Sequence, residues 1–167
     1  MKGSGAVQQR ITSNLWFDTE AEVAAEFYIS VFEDSRIVNV ARYGEAGPRP
    51  AGTVMIVEFE LGGQRFVAIN GGPQFKFDEA VSFQIRCEGQ EEVDYYWQRL
   101  SEGGQEGQCG WLKDRFGLSW QVTPAGIEEL FAGPDAERAR RAMQAMLGMS
   151  KLDIAALRSA AEGSPPS

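Results

Sequence analysis

The stretch CGWLKDRFGLSWQVT, residues 109–123, decides the fold. Trp111 leads into a charged Lys113-Asp114-Arg115 turn and a break at Gly117. Leu118, Ser119, Trp120, Gln121 and Val122 then alternate strictly between apolar and polar, so the segment predicts strand, tight turn, strand. In a hairpin of this kind Leu118, Trp120 and Val122 face a core. Ser119, Gln121 and Thr123 face solvent or a cavity.

Upstream, residues 81–87 (VSFQIRC) alternate in the same way, and residues 90–100 place Val93, Tyr96, Trp97 and Leu100 at helical spacing. The pair occurs twice. An offset of 69 residues lays Phe27-Tyr28 on Tyr96-Trp97, and residues 11–17 (ITSNLWF) on residues 80–86. In the first copy Thr19 and Glu22 form a capping-box signature, and Ala24, Phe27, Tyr28, Val31 and Phe32 make one apolar stripe. Three strands follow, over 36–43, 53–61 and 64–70, the last two joined by Gly62-Gly63 in a primed hairpin turn. The order βαβββ therefore appears as a module over residues 11–72 and again over 78–124. Residues 125–161 predict added helices, in which Met143, Met146, Leu147 and Met149 cluster as a subunit contact. Residues 1–10 are expected to form a flexible arm and 162–167 a disordered tail.

Composition narrows the function. A net charge of −8 with 16 scattered basic residues argues against nucleic-acid binding, and no apolar run approaches the roughly 18 residues of a membrane span. The first ten residues read as neither signal nor transit peptide, so a cytoplasmic protein is expected. Cys87 and Cys109 lack metal-cage spacing and read as reduced, buried thiols. Histidine is absent, which removes Ser-His-Asp triads and histidine-based metal centres. The Gly71-Gly72 pair fits neither GxxxxGK[ST] nor a strand-borne GxGxxG and reads as a connector.

The doubled module with NLWFD, GGQRFVAINGGP, FQIRCEGQEEVDYYW and CGWLKDRFGLSWQVTP resembles the PhnB-like branch of the glyoxalase/bleomycin-resistance, or vicinal-oxygen-chelate, superfamily over about residues 10–155. The resemblance implies an α+β fold of two tandem βαβββ modules whose curved mixed sheets form a cleft, followed by C-terminal helices. It also implies a homodimer and, in many members, a divalent metal. Some families of this type bear a demethylubiquinone methyltransferase name, but no S-adenosylmethionine loop is visible, and the name is read here as a label. The four metal positions that the resemblance marks fall near Ser13, Ala68, Ser82 and Gln121. Two hydroxyls, a methyl and a neutral amide are weak ligands, so neither a metal nor another cofactor is expected.

A pocket remains. Alternation sets Ser82, Gln84 and Arg86 opposite Phe83, Ile85 and Cys87, and with Glu58, Asn70, Trp111, Ser119 and Gln121 they outline a small-molecule site. Arg86 points to an anionic or carbonyl-bearing ligand. Bland readings stand beside these: Arg86 paired with Glu58 or Glu60, Asn70 a turn residue, Gln121 serving only its own hairpin, and Trp16, Trp97 and Trp120 as packing. No catalytic residue is assigned. The leading expectation is a cytoplasmic, dimeric binding protein for a small organic ligand. The alternatives are a Mg²⁺- or Mn²⁺-dependent lyase, isomerase or dioxygenase using Glu58 and Gln121, and a non-catalytic interaction module.

Overall fold

The computed structural model describes residues 9–163. Most of the expected arm and tail lie outside them. Gln9 is held, its amide donating to the carbonyls of Ile11 and Arg65 and accepting from the Arg65 N–H.

The chain divides into two compact units, Met1–Lys76 and Phe77–Ser167. In the first, β1 (Ser13–Phe17), α1 (Ala21–Val31), β2 (Ser35–Arg42), β3 (Val54–Leu61) and β4 (Gln64–Asn70) build a sheet of order β1-β4-β3-β2. In the second, β5 (Ser82–Cys87), α2 (Gln90–Ser101), β6 (Gln105–Glu106), β7 (Trp111–Lys113) and β8 (Ser119–Pro124) build β5-β8-β7-β6. First and last strands run parallel, the others antiparallel. This is the expected α+β fold of two βαβββ modules.

Each helix covers one face of its own sheet. Tyr28 stacks on Phe59 at 6.2 Å between ring centroids, and Phe59 on Phe66 at 5.4 Å, while Ala24, Ala25 and Val31 are buried beside them. In the second unit Val93, Trp97 and Leu100 are buried, as are Ile85, Cys87, Trp120 and Val122. Full burial of an aliphatic or aromatic side chain of this size contributes roughly 1.5–3 kcal/mol, which is what sets the register.

Two sequence expectations are corrected. The capping box does not form: the N-cap of α1 is Glu20, without a side-chain cap bond, and the Ala21 N–H instead donates to Asn70 Oδ1 at 2.8 Å. The cap comes from the end of β4, a long-range contact that no local motif contains. The repeat offset also changes along the chain. Ala21 and Gln90 start the helices 69 apart, but Phe17 and Cys87 end the first strands 70 apart, because the first strand-to-helix connection is one residue longer. Phe17 pairs with Asn70 as Cys87 pairs with Pro124, so the partners of Ser82 and Gln121 in the first unit are Thr12 and Val67. Ser13 and Ala68 lie instead in the register of the helix-covered face, where a one-residue slip puts them.

The Gly71-Gly72 connector has a packing role. The Trp16 ring lies so close to Gly71 that any Cβ there would overlap it, and Trp16 Nε1 donates to the Gly72 carbonyl at 2.9 Å. Beyond β8 come a turn of 3-10 helix (Ile127–Leu130), α3 (Ala136–Leu147) and α4 (Ile154–Glu162). Asp135 and Asp153 cap α3 and α4. Gln90 secures them to the second unit, donating to Leu152 O and accepting from Ile154 N, and Cys109 N–H and Gly110 N–H donate to Met149 O and Ser150 O.

Asp114, in the turn between β7 and β8, is only 2% exposed. Its Oδ1 accepts from the N–H groups of Phe116 and Leu118 at 2.8 and 3.1 Å, and its Oδ2 accepts from Trp120 Nε1 at 2.9 Å. Removing it takes the acceptor from three N–H groups, at about 1–3 kcal/mol for each that is buried. Asp114→Ala is therefore expected to destabilise by about 3 kcal/mol or more in denaturant titration. Asp114→Asn, which keeps one acceptor oxygen, is expected to lose about half of that.

Candidate functional site

The face of the second sheet turned away from α2 carries its polar residues in register. Ser82 pairs with Ser119 and Ser119 with Lys113, which pairs with Gln105; Gln84 pairs with Gln121 and Gln121 with Trp111; Arg86 pairs with Thr123. The strand period of two puts all of these opposite Ile85, Cys87, Trp120 and Val122. Gln121 Nε2 donates to Ser82 Oγ at 2.9 Å, and Gln84 Nε2 to Thr123 Oγ1 at 3.2 Å. Arg86 is exposed at the end of the lattice.

A hollow of about 160 Å³ opens over β6, β7 and the start of β8, lined by Glu79, Gln105, Gly107, Trp111, Lys113 and Ser119 among others. Ser119 is fully buried, which differs from its expected wet position, and its Oγ has no hydrogen-bond partner among the described residues. An orphaned buried hydroxyl is costly, and Ser119 is one of the residues, with Trp111, that line the hollow. Lys113 pairs with Glu79. Glu106 at the rim is engaged, accepting from Trp97 Nε1 at 2.9 Å.

Six of the eight residues singled out in the sequence thus belong to this unit: Ser82, Gln84, Arg86, Trp111, Ser119 and Gln121 share one face. The other two are in the first unit. Glu58 is half-buried in β3, on the face away from Val57 and Phe59. Asn70 is buried, with its Oδ1 on Ala21 N and its Nδ2 donating to Val54 O at 3.1 Å, so both ends of its amide serve the backbone. Glu60 takes Arg36 and Arg65 as its partners. Lys113, Gln105 and Glu79 went unrecognised in the sequence. Trp111 and Lys113 stand two apart on one strand and therefore share a face, a signal hidden because Lys113 was read as part of the turn.

The donor set speaks against a tightly held transition metal. Ser82 and Gln121 bond each other, their counterparts are Thr12 and Val67, and no three His, Cys, Asp or Glu are grouped to hold an ion among the described residues. Neutral hydroxyl and amide oxygens do not offset the dehydration of Zn²⁺, Ni²⁺ or Fe²⁺.

Two modules of this topology define the vicinal-oxygen-chelate fold. Residues 9–123 match the 3-demethylubiquinone-9 3-methyltransferase family, and the chain belongs to this PhnB-like family. The PhnB protein of Bacillus cereus is 39% identical, with 70% of this chain and all of that one covered, at a TM-score of 0.65. A Pseudomonas aeruginosa protein, 20% identical over 70% of this chain and 98% of that one, has a TM-score of 0.58. The genomically encoded fosfomycin resistance protein of Listeria monocytogenes, in complex with Mn(II) and sulfate, is 13% identical over 74% and 95% of the two chains, at a TM-score of 0.50. These last two share the fold. No curated protein matches the sequence significantly.

The two thiols differ. Cys87 is fully buried at the end of β5, and burial, then the charge of Glu92, pushes its thiol up to about 12. Cys109 is half-buried and unbridged. With Cys87 raised in the folded state, its contribution to stability is complete below the ordinary thiol value of 9.0 and is lost as pH rises from there towards about 12. Iodoacetamide at pH 8.5, read by mass spectrometry, is expected to label Cys109 first and Cys87 only when denaturant opens the fold.

Proposed function

We propose that the face of the second sheet turned away from α2 binds a small organic ligand, without a tightly held transition metal. The observation that carries this is the Ser119 hydroxyl, buried and unpartnered in the wall of a hollow that also presents Trp111. Burying an unpaired hydroxyl costs free energy, which a ligand group or an ordered water in the hollow would offset. The hollow falls below the roughly 300 Å³ at which drug-sized pockets begin, so the occupant is small. Gln121, Ser82 and Gln84 extend a polar floor beside it, and Arg86 lies at the far end of the same lattice.

The protein works in the cytoplasm, and no helix among the described residues is long and apolar enough to cross a membrane. It pairs with a second copy through α3, where Met143 is 40% and Leu147 62% exposed. Light scattering is expected to give twice the 18.4 kDa chain mass, and Leu147→Asp to give a monomer.

Ser119→Ala separates a ligand site from packing. Deleting an orphaned hydroxyl is expected to raise the melting temperature by a few degrees, about 2–4 °C for each kcal/mol in a chain of this size. The same change is expected to abolish the thermal shifts that small organic fragments give with the unaltered protein. Fragment shifts that survive Ser119→Ala would place the ligand elsewhere. Elemental mass spectrometry of untagged protein is expected to find no stoichiometric metal, and a stoichiometric metal would overturn the metal-free reading.

A further inference from the structure

We infer that the hollow takes a small carboxylate and that Glu79 is the internal carboxylate it replaces on Lys113; this rests on the ligand reading of the same hollow. Strand pairing sets Gln105, Lys113 and Ser119 side by side on β6, β7 and β8. Side chains directly opposite on neighbouring strands are about 5 Å apart, within reach of one small anion. An ammonium can only donate hydrogen bonds, a hydroxyl and an amide NH₂ donate as well, and the Ser119 hydroxyl lacks a partner. The row offers donors and wants an acceptor.

The chain supplies one acceptor, and supplies it loosely. Glu79 reaches Lys113 from residues 71–81, which form neither helix nor strand. Its side chain is 59% exposed, whereas Lys113 is 33% exposed and fixed in β7 between β6 and β8. Ion pairs with an exposed partner contribute little to stability, so exchanging one carboxylate for another on Lys113 costs little. The ammonium already holds the Glu79 carboxyl below its usual range by hydrogen bonding, which shows the environment favouring a carboxylate at this point. The other acidic residue of the lining, Glu106, faces away from the competition, since its register partner Leu112 is buried and its carboxylate serves Trp97.

The shape limits the rest of the molecule. About 160 Å³ equals the volume of roughly five waters, and Trp111 gives one apolar wall. The occupant is a monocarboxylate with a compact flat or aliphatic body against the indole, its carboxylate on Lys113 and Ser119.

Benzoate and its neutral isostere benzamide, titrated into the full-length protein by calorimetry, test the assignment. Benzoate is expected to bind about tenfold more tightly than benzamide, since a charge-assisted pair replaces a neutral one. Glu79→Gln, which removes the internal competitor, is expected to tighten benzoate about fivefold and leave benzamide unchanged. Lys113→Met is expected to erase the preference for the acid. Equal binding of the two probes, or benzoate binding indifferent to Glu79→Gln, overturns the carboxylate inference and leaves the ligand site standing. Binding of neither probe, with other fragments still lost in Ser119→Ala, does the same. Failure of every fragment removes both readings.

Discussion

The parallel pairing of the first and last strands is the constraint on which each unit depends. β1 lies against β4 and β5 against β8, and a parallel partner is reached only through a crossover that includes the helix. Bringing the last strand back to the middle of the sheet puts one face under the helix and the other facing away from it. Everything about the candidate site follows from which residues fall on that second face. Asp114 holds the β7–β8 turn that delivers β8 in register, so a buried carboxylate at one end of the hairpin governs the placing of Ser119, Gln121 and Thr123.

The face of the second sheet turned away from α2 has two regimes. Around Ser82, Gln84, Gln121 and Thr123 the polar groups satisfy one another, which makes a stable floor with little appetite for an ion. Around Ser119 and Lys113 they do not: one hydroxyl has no partner among the described residues, and one ammonium leans on a carboxylate from an irregular segment. Chemistry that a ligand can complete is found where the fold leaves donors incomplete.

Much of this was legible in residues taken singly. Alternation in 118–122 assigned Leu118, Trp120 and Val122 to the core, and their exposures of 2, 3 and 0% agree. Of the helical stripes, Ala24, Tyr28 and Val31 of α1 and Val93, Trp97 and Leu100 of α2 are buried while Phe27, Phe32 and Tyr96 are half-buried, and Gly62 and Gly63, both with positive φ, make the turn that their pairing implied. What escaped was long-range or depended on a single residue of length. Asn70 read as a turn residue or a ligand contact, yet it caps α1 from 49 positions away. The positions that the resemblance marks near Ser13 and Ala68 lie one residue from the register partners of Ser82 and Gln121, because the connection before α1 has one residue more than that before α2.

The sequence by itself determined two βαβββ modules, which faces of their strands are apolar, and the absence of histidine from any chemistry, since periodicity and composition are local properties. Only the tertiary structure decided which polar residues are satisfied and which are left open. Ser119 and Gln121 are equivalent in the pattern, two positions apart on one strand; Gln121 finds Ser82, and the Ser119 hydroxyl finds no partner among the described residues. Hydrogen bonds are made across strands, and their partners are set by register and by the lengths of loops, which the pattern of one strand does not contain.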